Sequence, residues 1–234
     1  MVDTVKLGKW IKPQHLVEEN LTRYREAFDR HPARLVVVED FLLDDVAEHI
    51  SRFLAEEALF EKEHGLYSID GAVPEERWQT ADDDDRLFRL SRLKGISPES
   101  MMSPNAMTYL RLRQSLQQTE FREFFEALTG LELGSSDDFG VHSMSVGDFL
   151  RAHSDDVRNR SIALVMYLSP GWQPSYGGAL HMADETGESR IEATYNSIVV
   201  FDVQAENTHL VAPIEAAAGD ARRLTIGGWY PTPA

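Results

Sequence analysis

Apolar residues recur at helical spacing along the first half of the chain. The first such stripe has members three or four positions apart, which places them on one face of a helix: Val17, Leu21, Tyr24 and Phe28. Pro13 suits a first helical turn, and Pro32 marks the end of the stripe. The run RLVVV at 34–38 then predicts a short strand.

Three further helices are predicted from residue types that favour a helix N-cap: Asp44, Asn105 and Thr119. The helix after Thr119 carries EFREFFEALTG, and Gly130 suits the position just past its end. We therefore expect residues 1–137 to be a mainly helical layer with one strand near its start.

The segment ADDDDRLFRLSRLKG at 81–95 places four aspartates ahead of four basic residues: Arg86, Arg89, Arg92 and Lys94. Acids near the positive end of the helix dipole and bases near its negative end favour a short solvated helix, which is the interpretation we prefer. The alternative is a mobile lid whose arginines meet an anionic substrate.

From residue 138 the pattern changes to short apolar runs separated by Gly, Pro, Asn and Asp. Such runs indicate the antiparallel strands of a sandwich or jelly roll. They are FGVHSMSV, SIALVMYL, GALHMA, SRIEAT, SIVVFDV, THLVAPI and RRLTIGGWY. We expect an α+β fold with a mainly β core, in one domain over 1–234. In that domain the N-terminal helices flank a jelly-roll catalytic core at 138–234.

Composition narrows the classes of function. The chain has 234 residues, no cysteine and a net charge of −16. Disulfides and thiolate metal sites are therefore excluded, and so acidic a surface argues against nucleic acid as a partner. The polar start and the lack of a long apolar run predict neither a signal peptide nor a membrane span, so we expect a cytoplasmic protein.

His153 and Asp155 lie two positions apart, just before the run SIALVMYL. In extended backbone such residues point to the same side, so both side chains could bind one metal ion. His209, at the head of THLVAPI, would complete the facial triad of non-haem Fe(II) oxygenases, which leaves positions open for a cosubstrate and dioxygen. The alternative for this His-Ser-Asp is a polar corner before a strand.

The other histidines have no partner at the spacing of metal ligands. Four of them are expected at the surface: His15, His31, His49 and His64. His142 and His181 lie on predicted strands nearer the triad, and the pattern leaves their role open.

Arg223 lies in the apolar run RRLTIGGWY, where alternation places it on one face with Thr225 and Gly227. A buried Arg is costly unless it is paired, and a guanidinium binds a carboxylate through two parallel hydrogen bonds. An oxo acid anchored here could chelate the metal through its other end, with Thr225 as a further donor. The alternative is a salt bridge on the rim of the barrel.

The segment from about Phe139 to Tyr230 resembles the prolyl-4-hydroxylase-like branch of the Fe(II)/2-oxoglutarate-dependent dioxygenases. Five blocks in the family's order carry this resemblance: SVGDFLRAHSD, SIALVMYLSPGWQPSYGGALHM, NSIVVFD, THLV and RRLTIGGW. The resemblance implies a double-stranded β-helix and three iron ligands, His153, Asp155 and His209. It implies that Arg223 anchors the far carboxylate of 2-oxoglutarate. It also implies dioxygen as a reactant and ascorbate as a candidate reductant.

The chain departs from the family at Met144, where a tyrosine hydroxyl often helps to hold 2-oxoglutarate. Tyr167, on the adjacent strand, is our candidate to supply that hydroxyl. Asp155 is present, which disfavours the halogenase variant that lacks this carboxylate. The region 59–117 shows no match, so we expect substrate contacts there. Apolar strand residues are expected to form the cavity wall: Val165, Tyr167, Leu180, Val200 and Trp229.

The sequence therefore predicts a hydroxylase that uses Fe(II) and 2-oxoglutarate and releases succinate and carbon dioxide. The sequence does not identify the substrate: the resemblance suggests prolyl residues of a protein or peptide, but free or carrier-bound amino acids and other small molecules are equally served by such a core. Two alternatives stay open. One is a cupin-type metal enzyme that does not use 2-oxoglutarate, in which Arg223 forms a structural ion pair. The other is a non-catalytic jelly-roll binding module. The sequence predicts no oligomeric state.

Overall fold

A computed structural model describes residues 2–157, 159–184, 187–205 and 208–233. Six α-helices lie within these residues, all of them before residue 130. They are α1 (Thr4–Leu7), α2 (Glu18–Arg30), α3 (Asp44–Arg52), α4 (Glu75–Thr80), α5 (Pro104–Leu116) and α6 (Thr119–Thr129).

Twelve strands lie in the same described ranges. The first four are β1 (Leu35–Val38), β2 (Ala58–Leu66), β3 (Ile69–Val73) and β4 (Arg86–Ile96). The other eight are β5 (Phe139–Met144), β6 (Phe149–His153), β7 (Arg160–Tyr167), β8 (Leu180–Asp184), β9 (Gly187–Ile191), β10 (Ser197–Asp202), β11 (Thr208–Val211) and β12 (Arg223–Pro231).

The strands form one curled antiparallel sheet in the order β1-β10-β7-β12-β5-β4-β6-β11-β8-β9. Strand β2 pairs with β3 and β4 outside this path. Strand β4 also pairs with both β5 and β6, so it joins the two halves of the curl. The mainly β jelly-roll fold flanked by helices is confirmed.

Alternation along the central strands divides the apolar side chains between two cores. Met166 and Ile226 face the helices, whereas Val165 and Tyr167 face the inside of the curl. Three helices, α2, α5 and α6, cover the outer face with buried side chains that include Phe28, Leu112, Leu116, Phe121, Phe124, Phe125 and Leu128. The inside of the curl is the smaller core, and it is the one that contains polar groups from β12.

The predicted helices are confirmed, although three of their N-caps differ from the predictions. The expected cap residues Asp44, Asn105 and Thr119 lie inside their helices, which have Leu43, Ser103 and Gln118 at the cap. At the start of α5 the Ser103 hydroxyl accepts a hydrogen bond from the Ala106 N–H at 2.9 Å. Gly130 ends α6 as expected, with a φ of 72° that suits glycine.

The expectation of a mainly helical first half is wrong between residues 58 and 96, where β2, β3 and β4 contain most of the chain. The segment 81–95 is not a solvated helix, because β4 begins at Arg86. Strand β4 is hydrogen-bonded along both edges, which also excludes a mobile lid. Its charged residues pair across the sheet: Arg89 Nε lies 3.1 Å from Asp148 Oδ1. The period of this segment is therefore two, with Phe88 and Leu90 facing inwards.

Two of the four histidines expected at the surface are buried. His15 and His64 are each 4% exposed. The His15 ring lies 2.7 Å from the Tyr24 hydroxyl and 2.9 Å from the Asp40 carbonyl oxygen, and burial lowers its pKa. His64 packs against Trp78 with ring centroids 5.0 Å apart. A single histidine produces no periodic signal, so the sequence could not distinguish these buried residues from exposed ones.

No helix among the described residues combines the length and apolar character required to cross a membrane.

Helix α5 has a buried leucine and an exposed one two residues apart, and they should contribute very differently to stability. Leu112 is fully buried in the core under the helices, whereas Leu110 is 40% exposed. We expect Leu112→Ala to lower the free energy of unfolding by about 2–5 kcal/mol, because it removes buried methyl groups and leaves a cavity. Leu110→Ala should change it by about 0.5 kcal/mol or less. Denaturant unfolding of the two variants measures the difference, and equal effects would show that α5 does not pack as described.

Candidate metal centre and anion pocket

Three metal-ligand side chains converge where β6 meets β11. His153, the last residue of β6, is directly opposite His209 of β11, and the two rings have centroids 4.2 Å apart. Asp155 follows two residues after β6 and turns its carboxylate towards both rings. Its Oδ1 lies 3.7 Å from His153 Nε2, and its Oδ2 lies 3.3 Å from His209 Nε2. One ligand atom from each residue lies within 4.8 Å of the others, so the three can surround one ion.

The tautomer of His153 suits metal binding. Its Nδ1 lies 3.0 Å from the Arg151 carbonyl oxygen, which can only accept a hydrogen bond, so Nδ1 carries the proton. The lone pair is then on Nε2, the atom that faces Asp155. Burial, followed by the proximity of His209, lowers the pKa of His153 and favours the neutral ring that a metal requires.

Asp155 is held in place by two residues outside the triad. The Trp229 Nε1–H donates a hydrogen bond to Oδ2 at 2.9 Å, and Arg160 Nη1 lies 3.6 Å from Oδ1. The Arg160 guanidinium lies 3.4 Å from the centroid of the Trp229 ring. Burial by itself would raise the pKa of Asp155, but the hydrogen bond and charge of His209, with His153 and Trp229, hold it below its usual value.

Arg223 projects from β12 into the same cavity and is only 3% exposed. Among the described residues no carboxylate pairs with it, and its Nε has no hydrogen-bond partner. Its Nη1 makes a weak contact with the Met144 sulfur at 3.8 Å. The guanidinium lies over the Tyr167 ring, 5.0 Å from its centroid, and the Tyr167 hydroxyl also has no partner. The alternative interpretation of Arg223, a salt bridge on the rim of the barrel, is therefore not what the structure shows.

Burial lowers the pKa of Arg223 and raises the pKa of Tyr167. A guanidinium nevertheless stays protonated in proteins, so the charge is buried without compensation from the protein. Such a charge costs several kcal/mol unless an anion joins it. The arrangement therefore fits a carboxylate that comes from a ligand.

Gly178 provides the space for the Arg223 side chain. A Cβ at this position would lie 2.8 Å from Arg223 Cδ and 2.6 Å from Ile214 Cδ1. The φ of Gly178 is +72°, which other residues rarely adopt. Glycine is therefore required at position 178 for two reasons: the pocket has no space for a Cβ there, and the backbone has a positive φ.

The cavity has a volume of about 250 Å³ and contains the triad at one part of its wall and Arg223 at another. Most of the remaining wall is apolar and comes from both halves of the sheet: Phe88, Leu90, Met144, Leu150, Phe201 and Val211. This volume suits a small dicarboxylate beside a metal ion.

Four of the five residues expected in the wall line the cavity, namely Val165, Tyr167, Leu180 and Trp229. The prediction is wrong for Val200, which packs in the core under the helices. Its neighbour Phe201 lines the cavity instead. Thr225 lines it as expected, and so does His142, whose role the sequence left open. His181 is not part of this wall and pairs with Glu188.

Sequence reasoning missed Arg160 and considered Arg92 as a site residue only within a mobile lid, but both line the cavity. The signal for Arg92 was the period-2 alternation of Phe88, Leu90 and Arg92, which the preference for a helix concealed. Arg160 immediately precedes the predicted strand SIALVMYL, but nothing in its neighbourhood distinguishes it from a surface cation.

Comparison with known proteins finds similarity over the part of the chain that carries the site. Residues 139–231 match the family model of the 2OG-Fe(II) oxygenase superfamily. Prolyl 3-hydroxylase OGFOD1 of Xenopus laevis is 29% identical over 118 residues, which is 47% of this chain and 23% of that protein. Prolyl 3,4-dihydroxylase OGFOD1 of Ostreococcus tauri is 29% identical over 141 residues, 55% of this chain and 27% of that protein. The matches thus span about a quarter of the length of these relatives.

Solved structures share the fold. A Pseudomonas putida prolyl-4-hydroxylase superposes with a TM-score of 0.57 at 23% identity, covering 92% of this chain and 100% of that one. A Trichoplax adhaerens prolyl hydroxylase, in complex with a hypoxia inducible factor peptide, gives a TM-score of 0.62 at 14% identity, covering 92% and 90%. The resemblance noted in the sequence is confirmed.

The contacts of Asp155 predict that Trp229 tunes the metal site. Trp229→Phe keeps an aromatic ring but removes the N–H donor to Oδ2. Loss of such an outer contact typically lowers metal affinity by about 10- to 100-fold. Titration with Mn²⁺ measures the affinity, and Trp10→Phe, on the helical side of the molecule, is the control. If both variants bind Mn²⁺ like the wild type, the Trp229 contact does not orient Asp155.

Proposed function

Because residues 139–231 match the family model of the 2OG-Fe(II) oxygenase superfamily, we propose that the protein is an Fe(II)- and 2-oxoglutarate-dependent dioxygenase. It hydroxylates a C–H bond of its substrate and releases succinate and carbon dioxide. The observation that carries this proposal is the buried guanidinium of Arg223, which faces the same cavity as the triad and has no carboxylate partner among the described residues.

His153, Asp155 and His209 are the proposed ligands of Fe(II). Two imidazoles and one carboxylate on one side of an ion are the donor set of non-haem Fe(II) oxygenases. When bound, the iron supplies dioxygen activation coupled to the oxidative decarboxylation of the oxo acid. Trp229 and Arg160 keep the Asp155 carboxylate turned towards the two rings, so the three ligands are preorganised.

Arg223 is the proposed anchor for 2-oxoglutarate. Its planar donors match the far carboxylate in two parallel hydrogen bonds. Thr225 and Tyr167 line the cavity beside it, and their hydroxyls are further candidate donors. The anchor fixes one end of the cosubstrate, which directs its keto acid end towards the triad. A cupin-type enzyme without an oxo acid would leave the Arg223 charge uncompensated, and this favours the dioxygenase.

The apolar wall excludes water from the reaction. Leu90, Met144 and Phe201 offer no hydrogen bonds to solvent, and Phe201 packs edge-on against His209 at 5.0 Å between ring centroids. A dry site strengthens the electrostatic contacts of the anchor and prevents side reactions of reactive species.

A prolyl residue of a peptide or protein is the proposed substrate. The relatives from Xenopus laevis and Ostreococcus tauri are named prolyl hydroxylases. The Trichoplax adhaerens neighbour is described in complex with a peptide. Free amino acids are the competing substrate class, and ascorbate is the proposed reductant for assays. The direct test is succinate formation with Pro-containing peptides and with amino acids. It should require both Fe(II) and 2-oxoglutarate.

Arg223→Ala tests the anchor against its neighbour Arg222. Hydrogen bonds to charged groups contribute roughly 1.5–3 kcal/mol, so we expect 2-oxoglutarate binding to weaken by about one to two orders of magnitude. Mn²⁺ affinity should stay nearly unchanged, because Arg223 makes no contact with the triad. Arg222 instead donates to the Ala55 carbonyl outside the cavity, so Arg222→Ala should have little effect.

The affinities for 2-oxoglutarate and for Mn²⁺ can both be measured by anaerobic titration calorimetry. Equal 2-oxoglutarate affinities in wild type and Arg223→Ala would remove the anchor, and a cupin-type enzyme would then be the better explanation.

A further inference from the structure

A row of polar side chains crosses four adjacent strands on the inner face of the sheet. Tyr167 of β7 is directly opposite Thr225 of β12, and Thr225 is opposite His142 of β5. His142 is in turn opposite Arg92 of β4. Residues directly opposite each other in an antiparallel sheet project from the same face. All four line the cavity, so they form one continuous set of hydrogen-bond donors.

His142, like Tyr167, is a member of this row whose side-chain polar atoms have no hydrogen-bond partner among the described residues. Its imidazole makes no hydrogen bond or ion pair with any described residue. Burial, followed by the charges of Arg92 and Arg223, lowers its pKa to about 4. The ring is therefore neutral near pH 7 and carries one N–H that is free to donate. The only acid that contributes in the opposite direction is Glu63, which is already paired with Arg92 at 3.1 Å.

The position of His142 places it within reach of a ligand held on β12. Neighbouring strands lie about 4.8 Å apart, so the side chain of His142 starts about that distance from the side chain of Thr225 on the adjacent strand. The residue two positions earlier, Gly140, has no side chain beneath the ring: a Cβ there would lie 3.4 Å from the His142 Cε1. His142 thus lines the cavity with its ring over Gly140. Of the two guanidiniums on the neighbouring strands, Arg92 is paired with Glu63, whereas Arg223 has no carboxylate partner among the described residues and can attract an anion.

We propose that His142 is a further cosubstrate-binding residue, which donates a hydrogen bond to the far carboxylate of 2-oxoglutarate beside Arg223 and Thr225. This inference rests on the proposed function, because it takes 2-oxoglutarate as the anion. It also accounts for Met144, which is on the same face of β5 two residues later and has no donor. The donor that β5 lacks at Met144 is supplied at His142.

The test is the affinity of the Mn²⁺-loaded protein for 2-oxoglutarate, measured by titration calorimetry. His142→Leu, which has similar bulk and no donor, should weaken binding by about 10- to 100-fold. His142→Asn has nearly the shape of leucine and keeps an N–H, so it should recover most of that loss. Ser143→Ala is the matched control, because Ser143 is opposite Leu224 and projects from the other face. It should bind 2-oxoglutarate like the wild type.

A truncated ligand identifies the contact. 2-Oxobutanoate keeps the keto acid group and lacks the far carboxylate, so wild type and His142→Leu should bind it with equal affinity. In turnover assays His142→Leu should raise the KM for 2-oxoglutarate while kcat at saturation changes little. Melting temperatures establish that the variants are folded, and His142→Phe is a second donor-free variant should the leucine variant unfold.

The outcomes separate the two proposals. If wild type and donor-free variants bind 2-oxoglutarate equally, or if the loss persists with 2-oxobutanoate, the role of His142 is overturned while the proposed function stands. A change only in the KM for the substrate that is hydroxylated would also overturn the role of His142, since His142 would then contact that substrate. If the wild-type protein binds no 2-oxoglutarate, both proposals fail.

Discussion

The buried charge of Arg223 is the constraint on which the rest of the site depends. A guanidinium at 3% exposure without a carboxylate partner in the described structure is unfavourable by itself. The protein nevertheless leaves space for it at Gly178 and places an aromatic ring beneath it at Tyr167. These features preserve the cation and leave its donors free. An incoming carboxylate would be bound with little competition from water, because the surrounding wall is apolar.

The metal triad depends on a different property of the fold, the closure of the sheet. His153 and His209 are far apart in sequence and become direct neighbours only because β6 pairs with β11. Strand β4 holds this half of the sheet against the half that carries Arg223, since it pairs with both β5 and β6. The buried Asp148 strengthens the junction by accepting from Lys62 and pairing with Arg89. The spacing between triad and anchor is therefore set by backbone pairing rather than by mobile loops.

Much of the site could be predicted from alternation along single strands. That rule placed Arg223 with Thr225, and it allowed His153 and Asp155 to reach one ion. It failed at Val200 because every residue of β10 is buried, and the apolar run IVVF of a strand covered on both faces shows no alternation that would reveal its inner side. It was not applied to 86–96, where the preceding aspartates suggested a helix dipole.

The sequence alone could not predict which side chains from distant strands come into contact with each other. His142 and Arg92 gain their significance only from the register that aligns them with Thr225, and register across four strands leaves no trace in composition. The same holds for buried His15 and His64. Pairing among distant strands, rather than local propensity, decides which of these polar residues face the cavity.

The most direct test is a crystal structure of the protein with Mn²⁺ and 2-oxoglutarate. We expect one Mn²⁺ ion bound by His153, Asp155 and His209. We also expect the far carboxylate to form two hydrogen bonds of about 2.7–2.9 Å with the Arg223 guanidinium. A metal ion away from these three residues, or a 2-oxoglutarate molecule whose far carboxylate does not contact Arg223, would show that the proposed site is wrong.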